Sequence, residues 1–223
     1  MAFDGITIAA MVSELNKNLS GGRINKIAQP ESDELLITGK GANGQKRLLL
    51  SASASLPLIY FTGKNRISPL TAPNFCMLLR KHIGSARITA IRQPGLERVV
   101  EFELEHLNEL GDVCHKVLIM ELMGKHSNII FCDDNNMILD SIKHVSCNVS
   151  SVREVLPGRP YFIPHTQDKL DPLTISREDF MEKVCGRSNA VSKALYQTLT
   201  GFRLAANEAG LQNLHFPHCR AVC

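Results

Sequence analysis

Two stretches of the chain repeat apolar residues at the three- and four-residue spacing of a helix with one buried face. The first stripe lies near the N-terminus and consists of Ile8, Met11, Val12, Leu15 and Leu19. The second consists of Phe75, Leu78, Leu79 and Ile83. Each stripe is followed by glycine, at Gly21-Gly22 and at Gly84, which is where helices commonly end. The pattern therefore predicts two amphipathic helices.

Short apolar runs separated by Gly, Asn, Pro and Ser lie between and after these helices, and they predict strands. Before the second helix the runs cover residues 23–27, 34–38, 46–50 and 58–61. After it, Val100, Phe102 and Leu104 alternate with glutamates, which indicates a strand with one wet face. Further runs cover residues 117–122, 128–132 and 137–139, with a turn at residues 133–136.

The last part of the chain differs in character. Residues 155–172 are Pro-rich and irregular, which suggests a linker. After it we expect two short helices, one capped by Ser176 and one capped by Ser188. The apolar stripe of the second consists of Val191, Leu195, Leu199 and Phe202. The order of elements predicts an α+β domain over residues 1–172, followed over residues 173–223 by the start of a helical region that we expect to be truncated.

Composition narrows the class of protein. Apolar residues make up 44% of the chain, aromatic residues 5%, and Trp is absent, so the core must be largely aliphatic. No run reaches the ~18 apolar residues that a membrane span needs, and residues 1–19 lack the pattern of a secretory signal. The 7 cysteines include no C-x-x-C pair, unlike a disulfide framework or a zinc ribbon. We expect a cytoplasmic protein with reduced thiols and no membrane contact.

Charge is distributed unevenly along the chain. Residues 1–98 hold 13 Lys and Arg against 6 Asp and Glu, a net of +7, whereas residues 99–223 hold 12 against 16, a net of −4. A basic half lowers the cost of approaching a phosphate backbone. The alternative is a chance difference between the two halves.

Three patterns that could carry chemistry are weak. Residues 39–44 match G-x-G-x-x-G, but an apolar run follows where a nucleotide-binding loop needs a helix, so a hairpin turn is favoured. His215, His218, Cys219 and Cys223 could ligate a metal, but they lie in a tail without a clear period. No Ser-His-Asp or Cys-His arrangement can be assigned. We therefore expect no cofactor, no metal and no catalytic residues.

Two polar segments stand out between apolar runs. In residues 94–100, a Pro-Gly turn brings Glu97 and Arg98 to the start of a strand, where both could project from an edge. The alternative is a local ion pair at a hairpin. Residues 121–128 concentrate the donors and acceptors Glu121, Lys125, His126, Ser127 and Asn128, which suits phosphate and ribose contacts. The alternative there is a well-satisfied polar hairpin.

These two segments and two further motifs resemble the NFACT family of ribosome quality-control factors. Phe3-Asp4-Gly5 opens a helix, a Pro-Gly-x-acid-Arg turn ends at Arg98, and Glu-x-Met-Gly-Lys-His-Ser-Asn spans 121–128. Arg153, Pro157-Gly158 and Tyr161 followed by Pro164 complete the set. The resemblance covers roughly residues 1–165.

The resemblance implies a fold and a function. It implies an N-terminal domain similar to that of formamidopyrimidine-type DNA glycosylases, followed by a helix-hairpin-helix region. It implies binding of tRNA, alanyl-tRNA in bacteria, and of the large ribosomal subunit obstructed by peptidyl-tRNA, with template-free C-terminal tailing of the stalled chain. Asp4, Glu97 and Arg98 would contact tRNA, and to these we add Glu121, Lys125, His126, Ser127 and Asn128. Glu97 departs from the usual Asp.

Two rival functions receive less support from the sequence. Some bacterial members of the family carry the older label of fibronectin-binding proteins, but an adhesin would be expected to show a signal peptide or a wall anchor. A glycosylase of the related type needs an N-terminal Pro nucleophile with an acid beside it, and Ala2 and Phe3 stand there. We expect a binding module rather than an enzyme.

Overall fold

A computed structural model describes residues 3–164, 169–188 and 190–202 of the chain. The elements are α1 (Gly5–Leu19), β1 (Arg23–Ala28), β2 (Glu34–Gly41), β3 (Gly44–Ser51), β4 (Leu58–Phe61), α2 (Asn74–Ile83), β5 (Arg87–Arg92), β6 (Val99–Leu107), β7 (Val113–Glu121), β8 (Asn128–Asp133), β9 (Ile138–Ser141), α3 (Arg177–Phe180) and α4 (Val191–Thr198). Both amphipathic helices are confirmed, and each predicted strand overlaps an observed one. The α+β class is confirmed.

The strands of the described residues form one antiparallel sheet in the order β4-β3-β2-β1-β5-β6-β7-β8-β9. Strands β1–β4 follow one another as hairpin neighbours and form a first meander, and β5–β9 form a second. The two meanders meet where Arg23 of β1 lies opposite Arg87 of β5. Helix α2 supplies the connection from the edge strand β4 back to the centre of the sheet, which a short hairpin could not span.

The main core lies on one face of the sheet, under both helices. Ile8 and Leu15 of α1 and Leu79 and Ile83 of α2 are buried in a cluster that includes residues from both meanders. Burying each such side chain stabilises the fold by roughly 1.5–3 kcal/mol. Because the helices cover this face, the opposite face and the ends of the strands are the surfaces on which a binding site can lie.

The G-x-G-x-x-G segment is a hairpin turn, as predicted. Gly41 pairs with Gly44 across the β2–β3 hairpin, and only Ala42 and Asn43 lie between them. Gly44 has φ of 85°, a left-handed conformation that a residue with a Cβ rarely adopts. The segment forms no nucleotide-binding loop, because a strand and not a helix follows it.

The prediction of a linker at residues 155–172 is wrong for residues 155–163. Val155 is buried and pairs with Val145, and Tyr161 donates its backbone N–H to the Asn136 carbonyl. Val155, Tyr161 and Ile163 pack in a second apolar cluster against the face of β6–β9 that the helices leave open. Proline and glycine shape this segment for packing rather than for flexibility.

Strand β5 was not predicted from the sequence. Its two buried residues, Ile88 and Ile91, are three positions apart instead of two. A β-bulge between Ile88 and Ala90 shifts the register against β6 and returns Ile91 to the core face. The extra residue removes the alternation by which a strand is recognised.

The helical end is partly as expected. The Ser176 side chain accepts a hydrogen bond from the Asp179 N–H and caps α3, as predicted. The Ser188 cap is wrong, because α4 begins after Ala190 with no side-chain cap. Helix α4 ends at Thr198, so Leu199 and Phe202 lie beyond it, although both pack in the same small cluster as Leu195. The domain boundary at residue 172 stays a prediction.

Candidate nucleic-acid interface

The N-terminus of α1 forms one side of the candidate site. Asp4 is the N-cap of the helix, and its Oδ1 accepts a hydrogen bond of 2.8 Å from the Thr7 N–H. The Asp4 side chain is buried, so this residue's described role is to begin the helix. A missing cap typically costs about 1 kcal/mol.

Gln93 holds this helix start against the Pro-Gly turn. Its Nε2 donates to the Gly5 carbonyl and to the Glu97 carbonyl, both at 2.8 Å. The Gly5 N–H donates to the Gly201 carbonyl at 2.9 Å, so the end of the described chain joins the same place. A Cβ at position 5 would lie 2.1 Å from the Leu96 carbonyl oxygen, so the approach requires glycine.

The structure brings the two polar segments together at one end of paired strands. Val99 of β6 lies opposite Glu121 of β7, and the Leu122 N–H donates to the Arg98 carbonyl at 2.8 Å. Both Glu97 and Arg98 are half-buried. The expectation that they project from an edge of the sheet is wrong, because β6 is an interior strand between β5 and β7. They lie instead where β6 begins, next to the segment that follows β7.

Within the 121–128 segment, Ser127 and Asn128 shape the loop. Ser127 Oγ accepts a hydrogen bond from the Met123 N–H at 2.9 Å. Asn128 Nδ2 donates to the Lys143 carbonyl, and its Oδ1 accepts from the Lys143 N–H. Both side chains are buried. The loop they fix is a short 3₁₀ helix, Gly124–His126, on which Lys125 and His126 are exposed.

Glu121 is fully buried and belongs to an ion pair. Arg153 Nη2 approaches both carboxylate oxygens at 2.5 Å, and the Tyr161 hydroxyl donates to Oε1 at 3.1 Å. Burial lowers the pKa of Arg153, but the hydrogen bond and charge of Glu121 outweigh this and raise it overall. Burial, assisted by the Glu121 carboxylate, raises the pKa of Tyr161. Both carboxylate oxygens of Glu121 are engaged and the residue is buried, and its expected contact with tRNA stays a prediction.

Lys169 joins the site and was not predicted. Burial lowers the pKa of Lys169; the Glu97 carboxylate opposes this shift, and the Arg98 cation adds to it. Lys169 Nζ lies 4.3 Å from the Tyr196 ring centroid and donates to the Tyr196 carbonyl at 2.6 Å. No local pattern marks Lys169, because its neighbours lie about 70 residues earlier and 27 residues later.

These residues supply polar groups that suit an anion. Arg98, Lys125 and Lys169 supply cationic donors, His126 adds a ring that can donate or accept, and Glu97 can accept from a hydroxyl or an amine. No group of described residues could hold a metal ion, and the four His and Cys of the tail lie outside the described residues. No described helix is long and apolar enough to cross a bilayer.

Comparison with known proteins gives the relatives of the chain. Residues 4–218 match the family described as NFACT N-terminal and middle domains. The Rqc2 homolog RqcH of Bacillus subtilis is 39% identical over 221 residues, which is 96% of this chain and 38% of that protein. The ribosome quality control complex subunit NEMF of Mus musculus is 26% identical over 175 residues, 78% of this chain and 16% of that protein. The chain thus spans less than two-fifths of these relatives.

Solved structures show the same fold. The N-terminal domain of fibronectin-binding protein PavA from Streptococcus pneumoniae superposes with a TM-score of 0.87 at 35% identity, covering 95% of this chain and 79% of that one. The fibrinogen binding protein from Staphylococcus aureus superposes with a TM-score of 0.83 at 30% identity, covering 97% of this chain and 76% of that one. The match to the family over nearly the whole chain, with these relatives, establishes that the chain belongs to the NFACT family.

Proposed function

We propose that this chain is the tRNA- and large-subunit-binding part of a cytoplasmic ribosome quality-control factor. It binds tRNA, alanyl-tRNA in a bacterial setting, beside a large subunit that is obstructed by peptidyl-tRNA. In this way it promotes template-free C-terminal tailing of the stalled chain. The observation that carries the proposal is that the pairing of β6 with β7 places the Glu97-Arg98 turn against Leu122, where the segment with Lys125 and His126 begins.

The geometry supports contact with RNA rather than with a neutral ligand. The Arg98 guanidinium can fork onto a phosphate or a base edge, and Lys125 and Lys169 can add point charges to a backbone. Glu97 can accept a hydrogen bond from a ribose hydroxyl or an exocyclic amine. Gln93 and Gly5 hold the Glu97 turn in place, so little conformational entropy is lost on binding.

The same residues support positioning without chemistry. A tailing factor needs to hold tRNA near the ribosome's own peptidyl-transferase centre, which performs the bond formation. Phe3 offers no carboxylate to a nucleophile at the N-terminus. The proposal is therefore a binding module, and the expected likeness of its fold to the N-terminal domain of formamidopyrimidine-type glycosylases concerns shape and not activity.

Binding of labelled tRNA to the Arg98→Ala variant tests the proposal. Loss of a charged hydrogen bond costs about 1.5–3 kcal/mol, so Kd should rise roughly 10- to 150-fold at 25 °C. The matched control is Arg92→Ala. Arg92 is 66% exposed on β5 and pairs with Glu103, away from the turn, so its removal takes the same charge without touching the site.

Thermal unfolding of both variants accompanies the binding measurement. We expect Arg98→Ala to lose about 1 kcal/mol of stability, the usual cost of a point substitution, which lowers Tm by only a few degrees. Equal loss of binding in the two variants would reduce the effect to net charge. A loss of stability that matches the loss of binding would make Arg98 a structural residue and remove the proposal's central contact.

A second candidate is binding of an extracellular-matrix protein, because two solved relatives are named for fibronectin and fibrinogen binding. The same purified protein can be applied to immobilised fibronectin and to tRNA. Fibronectin binding that persists in Arg98→Ala, together with no measurable tRNA affinity, would favour this candidate over ours.

A further inference from the structure

The outer face of the first meander is the side of β1–β4 that points away from the two helices. The register across the strands places the following residues on it: Lys26, Ala28, Glu34, Leu36, Thr38, Lys40, Gln45, Arg47, Leu49, Ser51, Leu58 and Tyr60. The residues between them, such as Ile37, Leu48 and Ile59, point into the main core. None of the residues of the proposed tRNA site lies on this face.

Three cations lie on this face: Lys26, Lys40 and Arg47. Lys26 and Arg47 each lie opposite Thr38, on either side of it, so they are two strand spacings apart, about 10 Å. Neither residue forms a salt bridge with any residue that the structure describes. Arg47 Nη1 donates to the Gly63 carbonyl at 3.1 Å, which orients the guanidinium and leaves most of its donors available.

The same face carries an apolar floor and an exposed aromatic ring. Ala28, Leu36 and Leu49 form a small buried cluster between the strands. Tyr60 lies opposite Leu49 on the edge strand and is 41% exposed. A partly exposed ring at the edge of this cluster can stack a base that is not already paired.

A groove of about 290 Å³ runs over this face, and no carboxylate lines it. The exposed segment after β4 forms its other wall with Asn65, Arg66 and Ser68. Arg66 lies 3.4 Å from Glu34, which neutralises part of its charge. A second groove of about 490 Å³ adjoins the first through Gln45 and Arg47 and adds Lys46. Part of the excess positive charge of the first 98 residues therefore lies along these two adjoining grooves.

We propose that the outer face of the first meander binds a segment of single-stranded RNA. Lys26 and Arg47 contact its phosphates, Tyr60 stacks one base, and the amides of Asn25, Gln45 and Asn65 reach ribose hydroxyls or base edges. A duplex would not present a base to Tyr60, and an acidic peptide would not need the ring. The site itself does not depend on the proposed function. Only the source of the strand, tRNA or ribosomal RNA, rests on that function.

Binding of an unstructured octamer of uridine, beside binding of whole tRNA, tests this surface. Lys26→Ala/Arg47→Ala is compared with Lys17→Ala/Arg92→Ala, which removes the same charge from exposed positions on α1 and β5. We expect about tenfold weaker octamer binding in the first pair relative to the second. The slope of log affinity against log salt should also fall by about 1.4, at roughly 0.7 for each phosphate contact on a single strand.

Tyr60 separates a base-stacking surface from a merely charged one. Tyr60→Ala should weaken octamer binding roughly fivefold or more, whereas Tyr60→Phe keeps the ring and should bind like the parent protein. A 4-thiouridine octamer should crosslink to the peptide that contains residues 58–61. No difference between the two charge pairs, no effect of Tyr60→Ala, or equal competition by polyglutamate would each overturn the proposal.

The outcome for the proposed function is read from Arg98→Ala in the same assay. We expect this variant to lose tRNA affinity and to keep its affinity for the octamer, since the two sites share no residue. Octamer binding without any tRNA binding would remove the proposed function and leave the sheet surface standing. If instead the protein did not bind the octamer, and tRNA binding stayed intact in every sheet variant, only the proposal for the sheet surface would be removed.

Discussion

Removing Arg153 should expose the cost of the buried Glu121 carboxylate. Glu121 is 0% exposed and receives all its described side-chain hydrogen bonds from Arg153 and Tyr161. In Arg153→Leu the carboxylate keeps only the Tyr161 hydroxyl. Removing one partner of a buried ion pair costs about 3–5 kcal/mol. For a domain of this size that lowers Tm by roughly 6–20 °C.

Replacing the whole set should recover most of that loss. The variant Glu121→Leu/Arg153→Leu/Tyr161→Phe leaves neither a buried charge nor an unpaired hydroxyl. Exchanges of a buried ion pair for apolar residues are often neutral or stabilising. We therefore expect the triple variant to unfold close to the parent protein and well above Arg153→Leu. Urea unfolding followed by circular dichroism measures all three.

The same variants decide between a structural and a ligand-binding role for Glu121. Under conditions in which the triple variant is folded, its tRNA affinity should equal that of the parent protein, because Lys125 and His126 remain on their loop. Two results would refute the reasoning: an Arg153→Leu protein as stable as the parent, or a triple variant that is folded but does not bind tRNA.

Three further predictions follow from single positions. Gly5→Ala places a Cβ against the Leu96 carbonyl and should lower the free energy of unfolding by about 1–3 kcal/mol. In the same thermal scan, Gly63→Ala should cost far less, because nothing lies within 4 Å of a Cβ at that position. Burial, with help from Glu103 and against Arg92, raises the pKa of Glu101 above 4.5, so its charge destabilises the fold as pH rises through that range. Glu101→Gln should therefore be more stable than the parent at pH 7 and not at pH 3.5, and equal gains at both pH values would contradict this. Incubation with oxidised-base duplex DNA and borohydride should trap no covalent adduct, and an adduct would mean that the protein is an enzyme.

The sequence predicted those parts of the fold in which local pattern and tertiary burial agree. Helix α1 has its stripe at 3.6-residue spacing, and it packs by that stripe. Strand β5 escaped because a bulge between Ile88 and Ala90 breaks the alternation. The Ser188 cap failed because Ser and Asp also occur in turns that begin no helix.

The candidate site follows from the sequence only in part, because residue type does not show which side chains are buried. The pairing of β6 with β7 brings the Glu97-Arg98 turn beside the start of the 121–128 segment, and the contact of these residues with tRNA stays a prediction. Polar residue type alone does not separate a side chain offered to a ligand from one buried with partners, and Glu121, Ser127 and Asn128 proved to be of the second kind. Lys169 depends on contacts distant in sequence, which no local pattern contains.

Sequencing of the RNA that co-purifies with the protein tests the central claim most directly. The parent protein and Arg98→Ala/Lys125→Ala are purified from the same cells at low salt, with Arg92→Ala as the control for lost charge. We expect tRNA and large-subunit ribosomal RNA with the parent protein and the control, and a loss of tRNA in the double variant. An absence of tRNA from the parent protein, or equal recovery in all three, would contradict the account.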